Sequence, residues 1–445
     1  MTVRQQRGLA RACGLVTAIV IILLPFHAFF TTWLGSNFGH LDAWRIWKEV
    51  LLVGLIPPTL VLLWLRPRLV KQLFANWLIR CIVAYITLYL LLGLLALSNG
   101  NVNANALIYS WLSNLRFLGF FIVVLVIANF VPRLRTYWQQ LVLLPGAIVV
   151  AFGLLQRLVL PYDFLKHFGY GDKTIPAYQT VDQKLAYRRV QSTLRGANPL
   201  GAYLVLVFGA LLPGKPQLKK YLALFATAMV LFYTYSRSAW IGVVLTLACY
   251  GYLSITNTKL RRRLAVLAVV GVVVVGLGVI DQRHNKIVEN TFFHTDTTSQ
   301  SGQSSNTSRA AALEDGVHDI ILEPFGRGPG TAGPASTRNN HPARIAEDYY
   351  LQVGQEAGML GLILFLAINW QVSMLLYKGR QDEFNRILLA TLIGISFINL
   401  LSHAWADDTL GLLWWGLAGL ALSPVILSPD KHKHHERQTT KKATA

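Results

Sequence analysis

Six side chains in this sequence combine a charge with an environment in which charge is costly. Arg237 lies between two apolar stretches in FYTYSRSAW, where a cation costs several kcal/mol unless it faces protein or a water-filled cavity. Snorkelling beside Tyr233, Tyr235 and Trp240 accounts for such an arginine, but not for the hydroxyls of Ser236 and Ser238 on either side of it. Arg188, Arg189 and Arg195 cluster in YRRVQSTLRGANPLGAY, where a solvated loop is the plain alternative. Arg309 follows Ser308, a capping residue, and a cation opening a helix opposes the helix dipole unless an anion is near. Glu347 stands at the mouth of an apolar run, eleven residues before Gly358. Ordinary solvation at a helix N-terminus explains that acid as well as chemistry does. Several guanidinium forks on one face would grip a doubly charged phosphate group without a metal. A carboxylate among them could take a proton from an attacking hydroxyl.

These residues must be positioned by a membrane protein. The chain has 445 residues, 53% hydrophobic and only 14% charged, with a net charge of +20. Its apolar residues come in long runs rather than in amphipathic alternation, which excludes an ordinary soluble enzyme. Runs long enough to span a bilayer fall at 10–30, 46–65, 78–97, 107–130, 138–158, 199–213, 264–280, 355–377, 386–403 and 409–427. The stretch 221–255 is too long for one span and splits at Ser236–Ser238, giving about twelve spans. Arg4, Arg7 and Arg11 precede an apolar run too long for a signal peptide, so the first span is expected to be retained.

Every second connection is basic: Arg66 to Arg80, Arg133 and Arg135, Lys215 to Lys220, Lys259 to Arg263, Lys378 to Arg386, and Lys431 to Lys442. The positive-inside rule puts these and both termini in the cytoplasm. The positive charge thus orients the chain against anionic lipid headgroups and requires no nucleic-acid partner. The division expected is residues 1–280 with nine spans and an external loop at 159–198, a large external loop at 281–354, three more spans over 355–427, and a basic tail at 428–445.

Within the large loop, His284, Asn285 and Lys286 lead into a polar stretch, 294–308, too poor in apolar residues to pack. A helix is predicted from Arg309, with Ala310, Leu313, Val317, Ile320 and Ile321 on one stripe and Glu314, Asp315 and Asp319 opposite. Glu323 and Pro324 end it. Gly328, Gly330 and Gly333 then have G-x-G-x-x-G spacing, but no strand precedes them and Pro329 interrupts, so a turn holding backbone close to a helix or ligand is expected instead of a dinucleotide site. Gly358 and Gly361 would permit close helix contact. Cys13, Cys81 and Cys249 lie in apolar runs and read as small buried hydrophobes. No metal-ligand spacing occurs in the external loops.

Order and spacing together resemble the O-antigen ligase and O-antigen polymerase superfamily of bacterial membrane glycosyltransferases. The resemblance rests on RGANPLGAYL (195–204), the Ser-Arg-Ser turn at Arg237, Arg309 leading to EPFGRGPG (323–330), and EDYYLQVGQEAGMLG (347–361). In the ligases the last motif opens with His followed by Asn, Ser or Gln; here Glu347 and Asp348 hold those places, while the nine-residue spacing and both glycines are intact. The resemblance implies an all-α polytopic fold of GT-C type in the bacterial cytoplasmic membrane, and metal-independent, inverting transfer of a glycan from an undecaprenyl diphosphate carrier to an acceptor on a lipid or glycan. It implies no cofactor. Arg237 and Arg309, with Arg195 and Arg189 beside them, would hold the diphosphate, and Glu347 would take the part of the His. A polymerase of the same superfamily fits these residues too. From a different class, a lipid-linked glycan transporter or flippase is compatible with twelve spans, although no internal repeat is visible.

Overall fold

The computed structural model describes residues 1–181, 184–263, 305–345 and 347–427, with 266, 277–278, 280–282, 285 and 288–289 between them, and for 305–309 the backbone alone. The protein is mostly helical, at 75%. Among the described residues six helices are long and apolar enough to cross a membrane: Val3–Phe38, Trp47–Trp64, Trp77–Ser98, Ala104–Phe130, Trp138–Leu158 and Tyr349–Lys378. Four more apolar stretches predicted from the sequence are helices too, at Ala197–Leu211, Leu218–Tyr233, Arg237–Ser254 and Glu383–Asn399, and the last is Leu410–Ile426. The predicted span 264–280 falls almost wholly outside the described residues, as do His284, Lys286, the polar stretch 294–304 and the tail 428–445.

The bundle is built around Leu410–Ile426, which is apolar on every side and nearly all buried. A helix of that kind belongs inside a bundle. It lies against Ala104–Phe130, where a Cβ on Gly419 would come within 2.7 Å of the Phe121 carbonyl oxygen. Phe117, Phe121, Trp405, Trp414 and Trp415 pack ring to ring around this contact. The outer helices turn large apolar side chains outward, such as Leu91, Leu94 and Leu95 of Trp77–Ser98. That face suits lipid, which makes no demand for polar groups. Cys13 and Cys81 are buried and Cys249 half-buried, all three as free thiols.

The spans are joined on the predicted external side by ordered connections. Residues 159–198 contain a short turn of helix at Phe164–Phe168 and a small hairpin pairing Gln179–Val181 with Lys184–Arg189. Residues 190–194 then run buried between helices. Irregular backbone at that depth must find partners within the protein. Val190 N–H donates to the Tyr233 carbonyl at 2.9 Å, Ser192 N–H to Gln156 Oε1 at 2.8 Å, Ser192 Oγ to the Val149 carbonyl at 2.7 Å, and Thr193 Oγ1 to the Pro25 carbonyl at 2.8 Å.

The loop helix differs from its prediction. It spans Ser305–Leu322, so Arg309 lies one turn inside it rather than at its opening, and Ser308 is not its cap. Nor does its whole apolar stripe face the bundle. Ile320 is buried against Gly354, and Asp319, expected on the opposite face, points inward to accept from Gln355 Nε2 at 2.7 Å and to pair with Arg344. Val317 and Ile321 are left exposed. The polar anchors Gln355 and Arg344 outweigh apolar burial in setting the rotation of this helix.

Candidate functional site: an outer cavity

The Tyr349–Lys378 helix starts six residues before the predicted span, capped by Asp348, whose carboxylate accepts from the N–H groups of Tyr350 at 2.7 Å and Leu351 at 3.0 Å. Burial pushes the Asp348 carboxyl up from its ordinary value, against those two hydrogen bonds. The helix breaks at Gly358, which has φ 67° and ψ −171°, a left-handed backbone that only glycine adopts without strain. Gly358 therefore serves a different purpose from the helix contact expected of it. The break frees carbonyls: Gln355 accepts from Arg327 N–H at 3.0 Å and Glu356 from Gly328 N–H at 2.9 Å, while Met359 N–H donates to Pro324 at 2.8 Å. The glycine-rich segment is laced along the broken helix. On its other side a Cβ on Gly328 would meet Ala96 at 2.3 Å, the close helix approach the sequence predicted. Gly361 has the Ala357 side chain beside it and Leu88 at 3.9 Å.

Behind this junction Glu356 is fully buried. It accepts from Tyr89 Oη, from Gly330 N–H at 2.7 Å, Ser110 Oγ at 3.1 Å, Asn114 Nδ2 at 3.2 Å and Gln352 Nε2 at 3.4 Å. One carboxylate thus joins two spans, its own helix and the glycine segment. An ionised carboxylate accepts on both oxygens and donates nothing, so every one of these donors is satisfied.

A cavity of about 830 Å³ opens on the neighbouring face of Ala104–Phe130. Its wall contains a charged cluster drawn from four parts of the chain. Arg116 donates to Glu49 at 2.6 Å and pairs with Asp408; Lys48 lies 3.1 Å from Glu49 and 3.6 Å from Asp408. Trp47 Nε1 donates to His27 Nδ1 at 2.9 Å, and His27 Nε2 is 3.7 Å from Asp408. Burial would raise the Asp408 carboxyl, but Arg116, Lys48 and His27 outweigh it and hold it well below the usual carboxylate range. Two cations and two anions therefore cancel, as buried charges must.

Arg195 also lines the cavity and is open to its interior. Burial works against its charge, while Asp407, Asp408 and the Tyr109 hydroxyl outweigh that and favour the guanidinium form. Among the described residues it has no carboxylate within 4 Å. Asp407 is committed to capping the last helix through the N–H groups of Thr409 at 2.9 Å and Leu410 at 3.1 Å.

Among the described side chains, the other expected site residues do not line this cavity. Arg189 donates to the Thr234 carbonyl at 2.8 Å and to Asn198 Oδ1 at 2.5 Å, and lines a smaller cleft with Arg188, Arg157 and Tyr178. Arg237 is the first residue of its helix, after a turn in which Tyr235 has φ 50°. Gly201 brings Ala197–Leu211 against Ser236 and Ala239, so Arg195 and Arg237 stand at the same end of two touching helices. Glu347 is half-buried beside the Asp348 cap. The Arg309 side chain lies outside the described residues. Lys48, Glu49, Arg116, Asp408 and Glu356 were missed in the sequence, although charges inside apolar runs are a known pointer to a site. Among the described residues no group of three His, Cys, Asp or Glu could hold a metal ion.

Fold and site together define a polytopic helical membrane protein with a charged cavity beside its ordered loops. A family model described as O-antigen ligase matches residues 222–366, about a third of the chain, and this segment is similar to that family, in line with the resemblance read from the sequence. The matched segment contains Arg237, Arg309, Glu347, Glu356 and both glycines of the last motif; Arg195 and the paired charges lie before or after it. No curated protein matches the chain.

Proposed function

We propose that the protein is an O-antigen ligase-like glycosyltransferase that moves a glycan from an undecaprenyl diphosphate carrier to an acceptor sugar hydroxyl, in the outer half of a GT-C-like bundle of about twelve spans. Its termini would be cytoplasmic and its partners the lipid-linked donor, a lipid- or glycan-linked acceptor and the surrounding lipids. The observation that carries this reading is Arg195, a cation without a carboxylate partner among the described residues, facing a cavity whose other deep charges already cancel. Such a group lowers the energy of an anion that arrives.

In the reaction the acceptor oxygen attacks the anomeric carbon from the face opposite the diphosphate. The new C–O bond forms as the bond to phosphate breaks, the electron pair leaves with undecaprenyl diphosphate, and the acceptor proton passes to a base. Arg195, together with Arg237, Arg309 and Arg189, is assigned to the charge growing on the leaving group, the electrostatic contribution that is often largest in such transfers. Glu347 is assigned the proton; its place beside a buried cap keeps it near protein rather than bulk water. Metal independence follows from the arginines supplying this charge.

Purified protein given an undecaprenyl diphosphate glycan and candidate acceptors tests the proposal. A single shift of preformed glycan onto the acceptor is expected for a ligase, and a ladder of repeats for a polymerase. Absence of any acceptor-linked glycan, together with movement of the lipid-linked glycan across proteoliposomes, contradicts both.

A further inference from the structure

The bundle uses only part of the apolar stripe on the Ser305–Leu322 helix. Ile320 packs on Gly354, but Val317, Ile321 and Leu322 are exposed, and Phe325, just past the helix end, is 84% exposed. Val317 and Ile321 lie one turn apart on the same face. Single exposed apolar side chains need no explanation, whereas a group of them marks a surface that meets lipid or another protein.

The level of this group in the membrane follows from the helices that hold it. Met359 N–H donates to the Pro324 carbonyl at 2.8 Å, and a Cβ on Gly358 would come within 2.5 Å of the Phe325 carbonyl carbon. Phe325 is therefore fixed at the break in the Tyr349–Lys378 helix. Beyond the break Met359, Leu360, Ile363 and Leu366 are exposed, a stripe that suits lipid. From Met359 to the basic end at Lys378 the helix rises about 28 Å, close to the hydrocarbon thickness of about 30 Å. The Trp77–Ser98 helix, running the other way, gives the same level: Gly328 packs against Ala96, and Trp77 to Ala96 is again about 28 Å. Both helices place the Pro324–Gly328 segment at the edge of the hydrocarbon layer, opposite their basic ends.

The exposed face is not apolar along its whole length. Glu314 and Asp315 are exposed nearer the helix start, and carboxylates are costly in lipid. The apolar side chains gather at the end that leads to Phe325, where they continue the lipid-facing stripe of Met359 and Leu360. That continuity selects acyl chains as the occupant over a second protein. We infer that Ile321, Leu322 and Phe325, with Val317 at their margin, form an interfacial anchor inserted among lipid acyl chains at the membrane edge. It holds the end of the loop helix at the bilayer while the acidic start stays in water, in the manner of helices that bury one apolar face at the boundary of headgroups and chains. The anchor does not depend on what the outer cavity binds.

Nitroxide labels on the full chain in nanodiscs test it. Phe325→Cys, Ile321→Cys, Glu314→Cys and Leu360→Cys are each made over Cys249→Ala, since Cys13 and Cys81 are buried. Labels at Phe325 and Ile321 are expected to relax faster with oxygen, which concentrates in lipid, than with a water-soluble nickel chelate, as the label at Leu360 should, and the order should reverse at Glu314. Hydrogen exchange gives a second reading. Phe325→Ser should speed exchange of the 317–322 amides about tenfold, the scale of one apolar side chain returned to water, and Phe325→Leu should leave it unchanged. So little of Phe325 touches protein that lipid must carry this effect. Labels at Phe325 and Ile321 as open to the nickel chelate as the label at Glu314 overturn the anchor. Shielding of both from either reagent means a protein cover and overturns lipid as the occupant. Wild-type exchange in Phe325→Ser overturns the anchoring role.

Discussion

Two buried polar clusters share the Ala104–Phe130 helix on adjacent faces, and they are built on opposite plans. Ser110 and Asn114 face Glu356; Tyr109, Ser113 and Arg116 face the outer cavity. Around Glu356 a fully buried carboxylate is met by neutral donors from four elements. In the cavity wall, opposite charges cancel in a deep layer while Arg195 stands over open space. A carboxylate whose partners already lie inside the protein marks a structural lock. Deep neutrality beneath an uncompensated cation marks a surface prepared for an anion. The lesson is that burial of a charge alone does not indicate function; what matters is whether its partners are already inside the protein.

The largest expected break in this contrast is Glu356→Ala. It strands the Gly330 N–H and removes the carboxylate acceptor of Tyr89 and Ser110, and should cost about 3 kcal/mol or more, read as a lowered unfolding temperature in detergent with loss of the folded fraction. Arg116→Ala comes next, because Glu49 is left with Lys48 alone and Asp408 with Lys48 and His27; Asp408 is partly exposed, and the expected loss is about 2 kcal/mol. Gly358→Ala should cost about 1–3 kcal/mol through left-handed backbone strain, and its Cβ would also press on the Pro324 carbonyl oxygen at 2.4 Å. Cysteine cross-linking between the glycine segment and the broken helix would report their separation.

The smallest effect is one of pH. Burial of Asp319 is outweighed by its bonds to Arg344 and Gln355, so its carboxyl is held below the ordinary value. A depressed carboxyl contributes stability that is present above the ordinary Asp value of about 3.9 and is lost as pH falls through the lower folded one. The Ser305–Leu322 helix should therefore release from the bundle just below that range, measured by hydrogen exchange. Asp408, held well below the range, should keep its pairs after Asp319 has let go.

Much of the frame was legible in the sequence because spanning helices announce themselves by length and apolarity. Leu410–Ile426 and Tyr349–Lys378 overlap their predicted runs, and the break at Ser236–Ser238 is a real turn. The glycine segment was recognised as a close-approach turn from Pro329 and its missing strand. Other features depend on what is packed beside them. Nothing in the spacing of Asp319 told that Gln355 and Arg344 would draw it inward, and Gly358 has the same local sequence whether it packs a helix or breaks one. Lys48, Glu49, Arg116 and Asp408 come from distant runs, and only the fold brings them together.

The central claim is that the outer cavity takes the diphosphate of the donor and that Arg195 holds it. The direct measurement is the rate of glycan transfer by Arg195→Ala, set beside its unfolding temperature. Since Arg195 forms no ion pair among the described residues, the variant should melt within about 1 kcal/mol of wild type, while transfer falls about a hundredfold. Transfer at the wild-type rate by a folded Arg195→Ala protein would contradict the account.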